Sequence, residues 1–460
     1  YATFKFAKLK YNQTVAELAV LILASCQAFF LIAHDVRTDT MLMGWVALSI
    51  WLIAKWAASN DLKDFVWAMV AIAGGMMTKG PIALVVPVLA FAPQWFFEKK
   101  WTYFFKPIYL LGILIIGILL IPMSWGLYQQ FDLHPGKLIN NIPIQSGLRF
   151  YYWTQSFGRY TGENYYHEMS YPTFLLENML WSFLPWIFIF IWAFVAKGIT
   201  MFKEGLFNVQ TERISFFGFF LTYLVLSRSQ AQLPHYIFVV FPLAAILTAA
   251  HLSVLLEQAD RLQKWIKWFF GFHLFIFLIL LIAMILIIKI PFGSMDGPWG
   301  LWIFFGTILF MINIGPKQQS YIQRWINMSI VLMIGLNLIL NSFFYPHLLE
   351  YQWGNALVKQ ARQKKWDIKK VALYKMPNSN AFHFYGQHIF PVIQDSSLLK
   401  EGQWIVADSI PAQQLLQDFP NTTILYQGKR FHVTLLTLEF LNPATRNKEL
   451  TPYVLMELKK

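Results

Sequence analysis

The sequence predicts a polytopic α-helical membrane protein that carries a small α/β domain at its C-terminal end. Of the 460 residues, 57% are hydrophobic and only 13% are charged, whereas soluble domains carry roughly 25% charged residues. Apolar stretches of the length that crosses a bilayer recur up to residue 344. After residue 345 the charges become frequent and the apolar runs shorten to strand length. We therefore expect a transmembrane domain over residues 1–345 and a soluble domain over residues 346–460.

Eleven apolar stretches predict the membrane spans, because a transmembrane helix needs about 20 largely apolar residues. They are 14–34, 40–58, 64–78, 81–97, 107–128, 172–196, 214–228, 236–256, 265–289, 299–316 and 325–344. The third and fourth meet at Thr78-Lys79-Gly80-Pro81. Proline removes a backbone donor there, and the pair is too long for one crossing, so two spans are predicted.

The distribution of basic residues predicts the orientation of these spans. The loops 1–13, 55–64, 98–106, 197–213, 257–267 and 317–324 hold sixteen Lys or Arg, against seven in the opposite set. Because cytoplasmic loops carry the excess of positive charge, residue 1 is expected in the cytoplasm. The 129–171 loop and all residues after 345 are then expected on the outer face.

Other features of the composition exclude some classes of function. The net charge is +13, but the basic residues lie in short loops between spans, so no nucleic-acid partner is predicted. The 43 Phe and 19 Trp suit contacts with membrane lipids. Cys26 is the single cysteine, which excludes a disulfide framework and a thiolate metal site.

Within residues 346–460 the pattern predicts helices over 354–365 and 411–418 and strands over 370–374 and 404–407. A hairpin is predicted from strands over 422–427 and 430–438 around Gly428-Lys429. Alternating strands and helices indicate a small α/β domain. No phosphate loop, nucleophile motif or metal-spaced set of ligands is present, so a structural or acceptor-docking module is favoured over a second enzyme.

The most informative polar stretch is residues 34–39, which lies between the first two predicted spans. Asp35, Arg37 and Asp39 are charges beside the hydrocarbon core, and such charges are costly unless they face water, a partner or a substrate. The alternatives to a functional site are an ordinary polar turn, a helix N-cap at Asp39, an Asp35–Arg37 ion pair, and an Arg37 side chain that extends to the membrane interface.

Three further outer loops carry charged and aromatic residues, which on this topology share one side of the membrane. Their candidate residues are Lys79, Arg149, Arg159, Arg228, His235 and Tyr236. A lipid-linked phosphosugar fits this set, because Lys and Arg bind phosphate and carboxylates can deprotonate an acceptor hydroxyl. Interfacial anchoring is the alternative for Tyr236. Glu163 and His167 have i, i+4 spacing and are weak candidates for a metal site. A divalent metal therefore stays open, and the sequence identifies no other cofactor.

Five motifs resemble those of a known family. They are Asp-Val-Arg-Thr-Asp (35–39), Thr-Lys-Gly-Pro (78–81), Gly-Arg-Tyr-Thr-Gly-Glu (158–163), Phe-Leu-Pro-Trp (183–186) and Leu-Pro-His-Tyr (233–236). Together they resemble bacterial members of the dolichyl-phosphate-mannose protein mannosyltransferase group, which includes the lipid A aminoarabinose transferase. The resemblance covers residues 30–245 and implies the GT-C fold, with a polyprenyl-phosphate sugar used on the outer face of the bacterial inner membrane.

The resemblance also implies roles for particular residues. Family members have about thirteen spans and an acidic residue in their first outer loop that is thought to be catalytic, so we expect this chain to lack the first two spans and that acid. Asp39, and with it Asp35, match the second acidic position of the family. Relatives often have Lys before Leu-Pro-His-Tyr, where this chain has Gln232, and Arg228 is the alternative phosphate contact.

The predicted function is transfer of a sugar from a polyprenyl-phosphate donor to lipid A, a glycan or a protein at the periplasmic face, with the C-terminal domain also periplasmic. Two alternatives stay open. A transporter or flippase of lipid-linked sugars would need charges near the middle of the membrane, whereas here they lie at helix ends. A non-catalytic membrane scaffold is the second alternative.

Overall fold

The structure is a computed structural model and describes residues 1–459, except 36, 140–141, 164–170, 206, 209–210, 259–262, 293–298 and 314–320. The chain divides into two compact units. The first comprises residues 1–270 and 317–333, and the second comprises residues 271–316 and 334–460. The predicted domain boundary after residue 345 stays a prediction.

The first unit is almost entirely helical. Its helices are α1 Ala2–Lys10, α2 Gln13–Ser25, α3 Gln27–Ile32, α4 Thr38–Ser59, α5 Leu62–Lys79, α6 Ile82–Phe97, α7 Ile108–Leu127, α8 Gly147–Arg149, α9 Gly158–Thr161, α10 Phe174–Ser182, α11 Ile187–Glu204, α12 Ile214–Ser227 and α13 Phe241–Glu257. A short antiparallel pair, β1 Lys137–Ile139 and β2 Ile142–Ile144, lies in the long outer loop. Two helices have residues in both units, α14 Gln263–Lys289 and α16 Tyr321–Ile339.

Helices of this length and composition confirm a multi-pass membrane protein. Among the described residues, five helical segments are long and apolar enough to cross a bilayer: Thr38–Ser59, Trp101–Asp132, Pro234–Glu257, Lys264–Lys289 and Tyr321–Leu349. Helices dominate because hydrocarbon offers no hydrogen-bond partners to the backbone, and a helix satisfies its backbone hydrogen bonds internally. Each of the eleven predicted spans coincides with one or more helices, but the number of crossings stays a prediction.

The structure divides two of the predicted spans. The span over 14–34 breaks at Cys26, whose backbone is extended, and the span over 172–196 breaks between α10 and α11. The two breaks lie against each other, since the backbone N–H of Gln27 donates to the backbone carbonyl of Leu184 over 3.0 Å. Trp186 Nε1 also donates to Ser25 Oγ over 2.9 Å. The backbone groups released by one break are therefore partly satisfied by the other.

The second unit contains α15 Trp299–Asn313 and α17 Tyr345–Leu349 and then a five-stranded mixed sheet. The strands are β3 Val371–Tyr374, β4 Val392–Ile393, β5 Trp404–Asp408, β6 Thr423–Arg430 and β7 Thr451–Glu457, in the order β4-β3-β5-β7-β6. The helices are α18 Trp353–Gln363, α19 Asn380–Gly386, α20 Ser409–Asp418, α21 Leu438–Leu441 and α22 Arg446–Glu449. Alternate residues of β3 point to opposite faces: Val371 and Leu373 pack with α18 and α19, while Ala372 packs with α20.

The predicted helices and the first two predicted strands of this region are found as α18, α20, β3 and β5, but the predicted hairpin is wrong. Gly428 and Lys429 lie inside one continuous strand, β6, which pairs antiparallel with β7. Gly428 is opposite Tyr453, and a Cβ at Gly428 would lie 2.5 Å from the Tyr453 ring. The glycine therefore allows close cross-strand packing of an aromatic ring and does not mark a turn.

Candidate functional site

Two neighbouring helices of the site bring a carboxylate and an ammonium group into an ion pair. Helices α4 and α5 are antiparallel neighbours connected by a short turn, so Asp39 in the first turn of α4 meets Lys79 at the end of α5. Lys79 Nζ donates to Asp39 Oδ1. The Asp39 side chain is 8% exposed and that of Lys79 is 26% exposed, so the pair is largely shielded from solvent.

Gly80 ends α5 directly beside this pair. Its backbone has φ +78° and ψ −158°, a region that only glycine occupies without strain. The Gly80 amide donates to the Met76 carbonyl over 2.8 Å. The glycine therefore lets the chain leave α5 immediately after Lys79, which keeps the ammonium group at the end of the helix.

His235 extends the pair into a network. It lies in the 3-10 helix Pro234–Val240, with Nε2 3.5 Å from Asp39 Oδ2. Arg37 donates through Nη1 to His235 Nδ1 and through Nε to Asp35 Oδ2. Because a guanidinium only donates, Nδ1 must accept, and the proton of the neutral imidazole is then on Nε2, facing Asp39.

Tyr236 brings two cations to one aromatic ring. Lys79 Nζ lies 4.1 Å and the Arg159 guanidinium carbon 5.3 Å from the ring centroid, which are cation–π distances. Arg159 Nη1 also donates to the Tyr236 hydroxyl over 2.7 Å. The ring therefore holds two positive groups close together, although they would repel each other.

The hydrogen bonds of Arg159 leave it available for an anion. Besides Tyr236, its acceptors are Gln155 Oε1 at 2.8 Å and the Ala231 carbonyl at 3.4 Å, all of them neutral. Arg159 Nε is buried and has no acceptor in the part of the chain that the structure describes. A buried guanidinium donor without an acceptor is costly, and an anionic group would remove that cost.

Asp39, Lys79, Arg159 and Tyr236 line a cavity of about 560 Å³. The lining residues are Asp39, Leu42, Thr78, Lys79, Pro81, Ile82, Val85, Phe150, Tyr151, Gln155, Ser156, Phe157, Arg159, Tyr160, Val225, Leu226, Ser229, Tyr236 and Val239. Charges occupy one part of this surface and most of the remainder is apolar. Such a surface suits a ligand that has both an anionic group and a hydrocarbon chain.

Tyr151 connects the long outer loop to the end of α5. Its hydroxyl is 2.8 Å from the carbonyl oxygens of Met76 and of Met77. Burial raises the pKa of Tyr151 to about 12, so the hydroxyl keeps its proton and acts as a donor. This contact holds the loop that carries Arg159 against the helix that carries Lys79.

The remaining predicted residues do not line the cavity, although Arg37 contacts His235. Asp35 pairs with Arg37 at the surface, where their side chains are 39% and 36% exposed. Arg149 pairs with Glu163 over 3.0 Å and is 66% exposed. Arg228 is exposed at the C-terminal end of α12. The structure thus brings Asp39, Lys79, Arg159, His235 and Tyr236 together; the roles assigned to all ten predicted residues with described positions stay predictions.

The metal hypothesis receives no geometric support. His167 lies outside the described residues, and Glu163 is paired with Arg149. Among the residues that are described, no group of three or more His, Cys, Asp or Glu side chains is arranged to hold a metal ion.

The sequence did not single out Tyr151, Gln155 or Ser156. Gln155 could have been found, because it lies four residues before Arg159, a spacing at which side chains meet in a helical chain, and its Oε1 accepts from Arg159 Nη2. Gln232, which directly precedes Leu-Pro-His-Tyr, is buried and donates through Nε2 to the Ser227 carbonyl over 2.8 Å. Its described contacts are thus to its own loop.

Comparison with known sequences supports the resemblance. Residues 1–125 match the family described as dolichyl-phosphate-mannose-protein mannosyltransferase. A relative from Pseudomonas fluorescens, undecaprenyl phosphate-alpha-4-amino-4-deoxy-L-arabinose arabinosyl transferase 2, is 28% identical over 49% of this chain and 37% of its own length. The corresponding transferase from Edwardsiella ictaluri is 23% identical over 75% of this chain and 60% of its own length. The matched part of the chain thus spans less than two thirds of the length of each of these relatives.

Comparison with solved structures confirms the fold. The crystal structure of ArnT from Cupriavidus metallidurans bound to undecaprenyl phosphate matches 99% of this chain and 81% of that chain, with a TM-score of 0.68 and 15% identity. Its apo form matches equally well, with a TM-score of 0.68 and 14% identity. The chain has the GT-C fold of these membrane proteins, and the predicted resemblance to the mannosyltransferase and aminoarabinose transferase group is confirmed.

Proposed function

We propose that this protein is a membrane glycosyltransferase that transfers a sugar from a polyprenyl-phosphate donor to an acceptor at the periplasmic face. The observation that carries the proposal is the pair of cations, Lys79 and Arg159, on the Tyr236 ring within a mainly apolar cavity. This surface matches the phosphate and the first prenyl units of such a donor. The similarity to arabinosyl transferases and to a structure bound to undecaprenyl phosphate supports this choice of donor.

Lys79 and Arg159 would bind the donor phosphate. The free Nε of Arg159 and the ammonium of Lys79 provide donors for its oxygens, and charge-assisted hydrogen bonds of this kind are the strong ones. As the glycosidic bond breaks, negative charge grows on the departing phosphate. Prepositioned cations stabilise that charge in the transition state without reorganising.

Asp39 would handle the proton of the acceptor. The acceptor hydroxyl oxygen forms a bond to the anomeric carbon while the bond from that carbon to the phosphate oxygen breaks, and the phosphate leaves with the bonding electrons. The hydroxyl proton passes to a carboxylate, for which Asp39 is placed by Lys79 and His235. Arg37 would act through His235 by fixing its tautomer, and Asp35 by holding Arg37.

The finer assignment concerns the sugar and the acceptor. The printed names of the relatives specify 4-amino-4-deoxy-L-arabinose on undecaprenyl phosphate, so we propose an amino-pentose donor. An amphiphilic acceptor such as lipid A fits a cavity that lies at helix ends. The C-terminal sheet domain is then periplasmic and serves to dock the acceptor.

The experiment is a transfer assay with the purified protein in lipid nanodiscs. Undecaprenyl-phosphate 4-amino-4-deoxy-arabinose and undecaprenyl-phosphate mannose would be supplied with lipid A, and the glycosylated product measured by mass spectrometry. We expect product from the amino-pentose donor and a large loss with Asp39→Asn. Lack of transfer with both donors would contradict the proposed glycosyltransferase activity. Movement of donor across the bilayer without transfer would favour the transporter instead.

A further inference from the structure

A second cavity lies in the same unit, towards the opposite ends of the helices. It has a volume of about 330 Å³ and lies between α6 and α7, both of which pack on α5. Its wall is formed by Ile53, Trp56, Phe65, Met69, Ile72, Leu84, Pro87, Val88, Phe91, Ala92, Trp95, Tyr103, Phe104, Tyr109, Gly112, Ile113 and Ile116. Trp56 is seventeen residues after Asp39 on α4, so the Trp56 end of this cavity is about 25 Å from Asp39 along the helix.

This cavity opens towards the hydrocarbon. Three residues of its wall are exposed on the outside of the helices, Leu84 by 38%, Val88 by 52% and Ile113 by 69%. Gly112 lets α7 approach α5, because a Cβ there would lie 2.9 Å from Met69 Sδ. The close contact of α7 with α5 leaves the space beside α6 unfilled, and a hydrocarbon chain can enter it from the bilayer.

The mouth of the cavity carries a cation. Lys106 Nζ lies 3.9 Å from the centroid of the Tyr103 ring and 4.9 Å from that of Trp56, two rings of the cavity wall. Its hydrogen-bond acceptor is the neutral Asn60 Oδ1 at 3.2 Å. An ammonium group has three donors, so Lys106 can still donate to a phosphate. Within the described parts of the chain, no carboxylate forms an ion pair with it.

The neighbouring segment has the composition of a membrane surface. Phe105 is 84% exposed and Trp101 is 50% exposed, as expected of aromatic residues that anchor at the interface. Lys99 and Lys100 precede them. Lys100 is paired with Glu98 over 2.8 Å, whereas Lys99 adds a positive charge of the kind that attracts anionic lipid headgroups. Lys106 is therefore at headgroup depth, and the cavity extends from it along α6.

We propose that this second cavity binds an anionic phospholipid of the leaflet on this face. One acyl chain enters the space between α6 and α7, and the lipid phosphate accepts hydrogen bonds from Lys106. The proposal does not depend on the sugar-transfer function, because the site shares no residue with the cavity at Asp39. Charge complementarity selects an anionic headgroup over a zwitterionic one, and the aromatic wall holds the chain of either.

The test is titration of the delipidated protein with dioleoyl-phosphatidylglycerol or dioleoyl-phosphatidylcholine, followed by native mass spectrometry. Lys106→Gln should weaken binding of the anionic lipid about tenfold, and binding of the zwitterionic lipid by a smaller factor, because the choline group of that lipid already offsets the charge of its phosphate. Val88→Trp should weaken both, because the indole fills the cavity from an exposed position that needs no repacking of the interior. Lys203→Gln, an exposed cation in a loop predicted on the same face, is the matched control and should bind as the wild type does.

Two results would overturn the proposal. If Lys106→Gln binds phosphatidylglycerol as tightly as the wild type, Lys106 is not the headgroup contact. If Lys203→Gln weakens binding as much as Lys106→Gln, diffuse surface charge explains the selectivity and no defined site exists. Thermal unfolding of each variant without added lipid checks that a loss of binding is not a loss of fold.

Discussion

Replacing Lys79 with methionine is the most informative perturbation of the charged cavity. Methionine keeps most of the length and the apolar volume of the lysine side chain but removes its charge. Two interactions disappear together: the ion pair with Asp39 and the cation–π contact with Tyr236 at 4.1 Å. The Asp39 carboxylate, with an 8% exposed side chain, is then left beside His235 without its cation.

The size of the effect follows from these contacts. Loss of one partner of a fully buried pair costs about 3–5 kcal/mol and loss of a surface pair about 0–1 kcal/mol. Lys79 is 26% exposed, so a value of about 2 kcal/mol is appropriate for the pair, with about 1 kcal/mol more for the cation–π contact. If Lys79 also stabilises the leaving phosphate, the rate of transfer should fall about 10²–10³-fold, as for other prepositioned donors.

Two measurements separate stability from catalysis. Thermal unfolding in nanodiscs should show a lower midpoint for Lys79→Met and recovery of much of that loss when Asp39→Asn is added, because no buried charge is then unpaired. The rate of sugar transfer should stay low in both. Lys137→Met removes an exposed cation of the outer loop and should leave transfer unchanged. Transfer by Lys79→Met within threefold of the wild type would refute the role of Lys79.

Three further predictions concern single contacts. Tyr236→Phe should lower kcat/KM about tenfold by removing the hydroxyl that accepts a hydrogen bond from Arg159 Nη1, and an unchanged value in the transfer assay would contradict that role. Gly80→Ala should lower the free energy of unfolding by about 1–3 kcal/mol, because alanine is strained at this backbone conformation. Equal free energies of unfolding for the variant and the wild type in a denaturation experiment would contradict this. Asp408→Asn breaks a bidentate pair with Arg430 at 2.8 Å and should speed amide hydrogen exchange in β6 and leave exchange at the charged cavity unaltered.

The membrane helices were predictable because hydrocarbon leaves the backbone few alternatives. The breaks in two of them were not, since a window of hydropathy does not contain the hydrogen bond from the Gln27 amide to the Leu184 carbonyl. Pro185 was a local signal, because proline cannot donate within a helix. A tertiary contact between two distant segments decides where the first of these helices ends.

The candidate site was predictable as a set of loops on one face but not as a geometry. The proximity of Asp39 and Lys79 follows from two antiparallel helices of similar length. The arrangement around Tyr236 does not, because Arg159 is 77 residues away in sequence and reaches the ring from a loop. Arg149 and Arg159 are alike in sequence context, yet the first pairs with Glu163 at the surface and the second enters the cavity.

The hairpin shows how one residue type can serve two purposes. A glycine between two apolar runs is typical of a turn, and it is equally typical of a strand position where a neighbouring side chain comes close. Only the partner strand distinguishes them, and Tyr453 lies 25 residues beyond Gly428 in the chain. Local sequence therefore could not decide between them.

The most direct test of the account is a cryo-electron microscopy structure of the protein in nanodiscs with undecaprenyl phosphate bound. We expect density for the phosphate in the cavity at Tyr236, with oxygens about 3 Å from Lys79 Nζ and from the Arg159 guanidinium, whose Nε gains an acceptor. The prenyl chain should follow the apolar wall of the same cavity. A phosphate bound at Arg149 or Arg228, with Lys79 still paired only to Asp39, would contradict it.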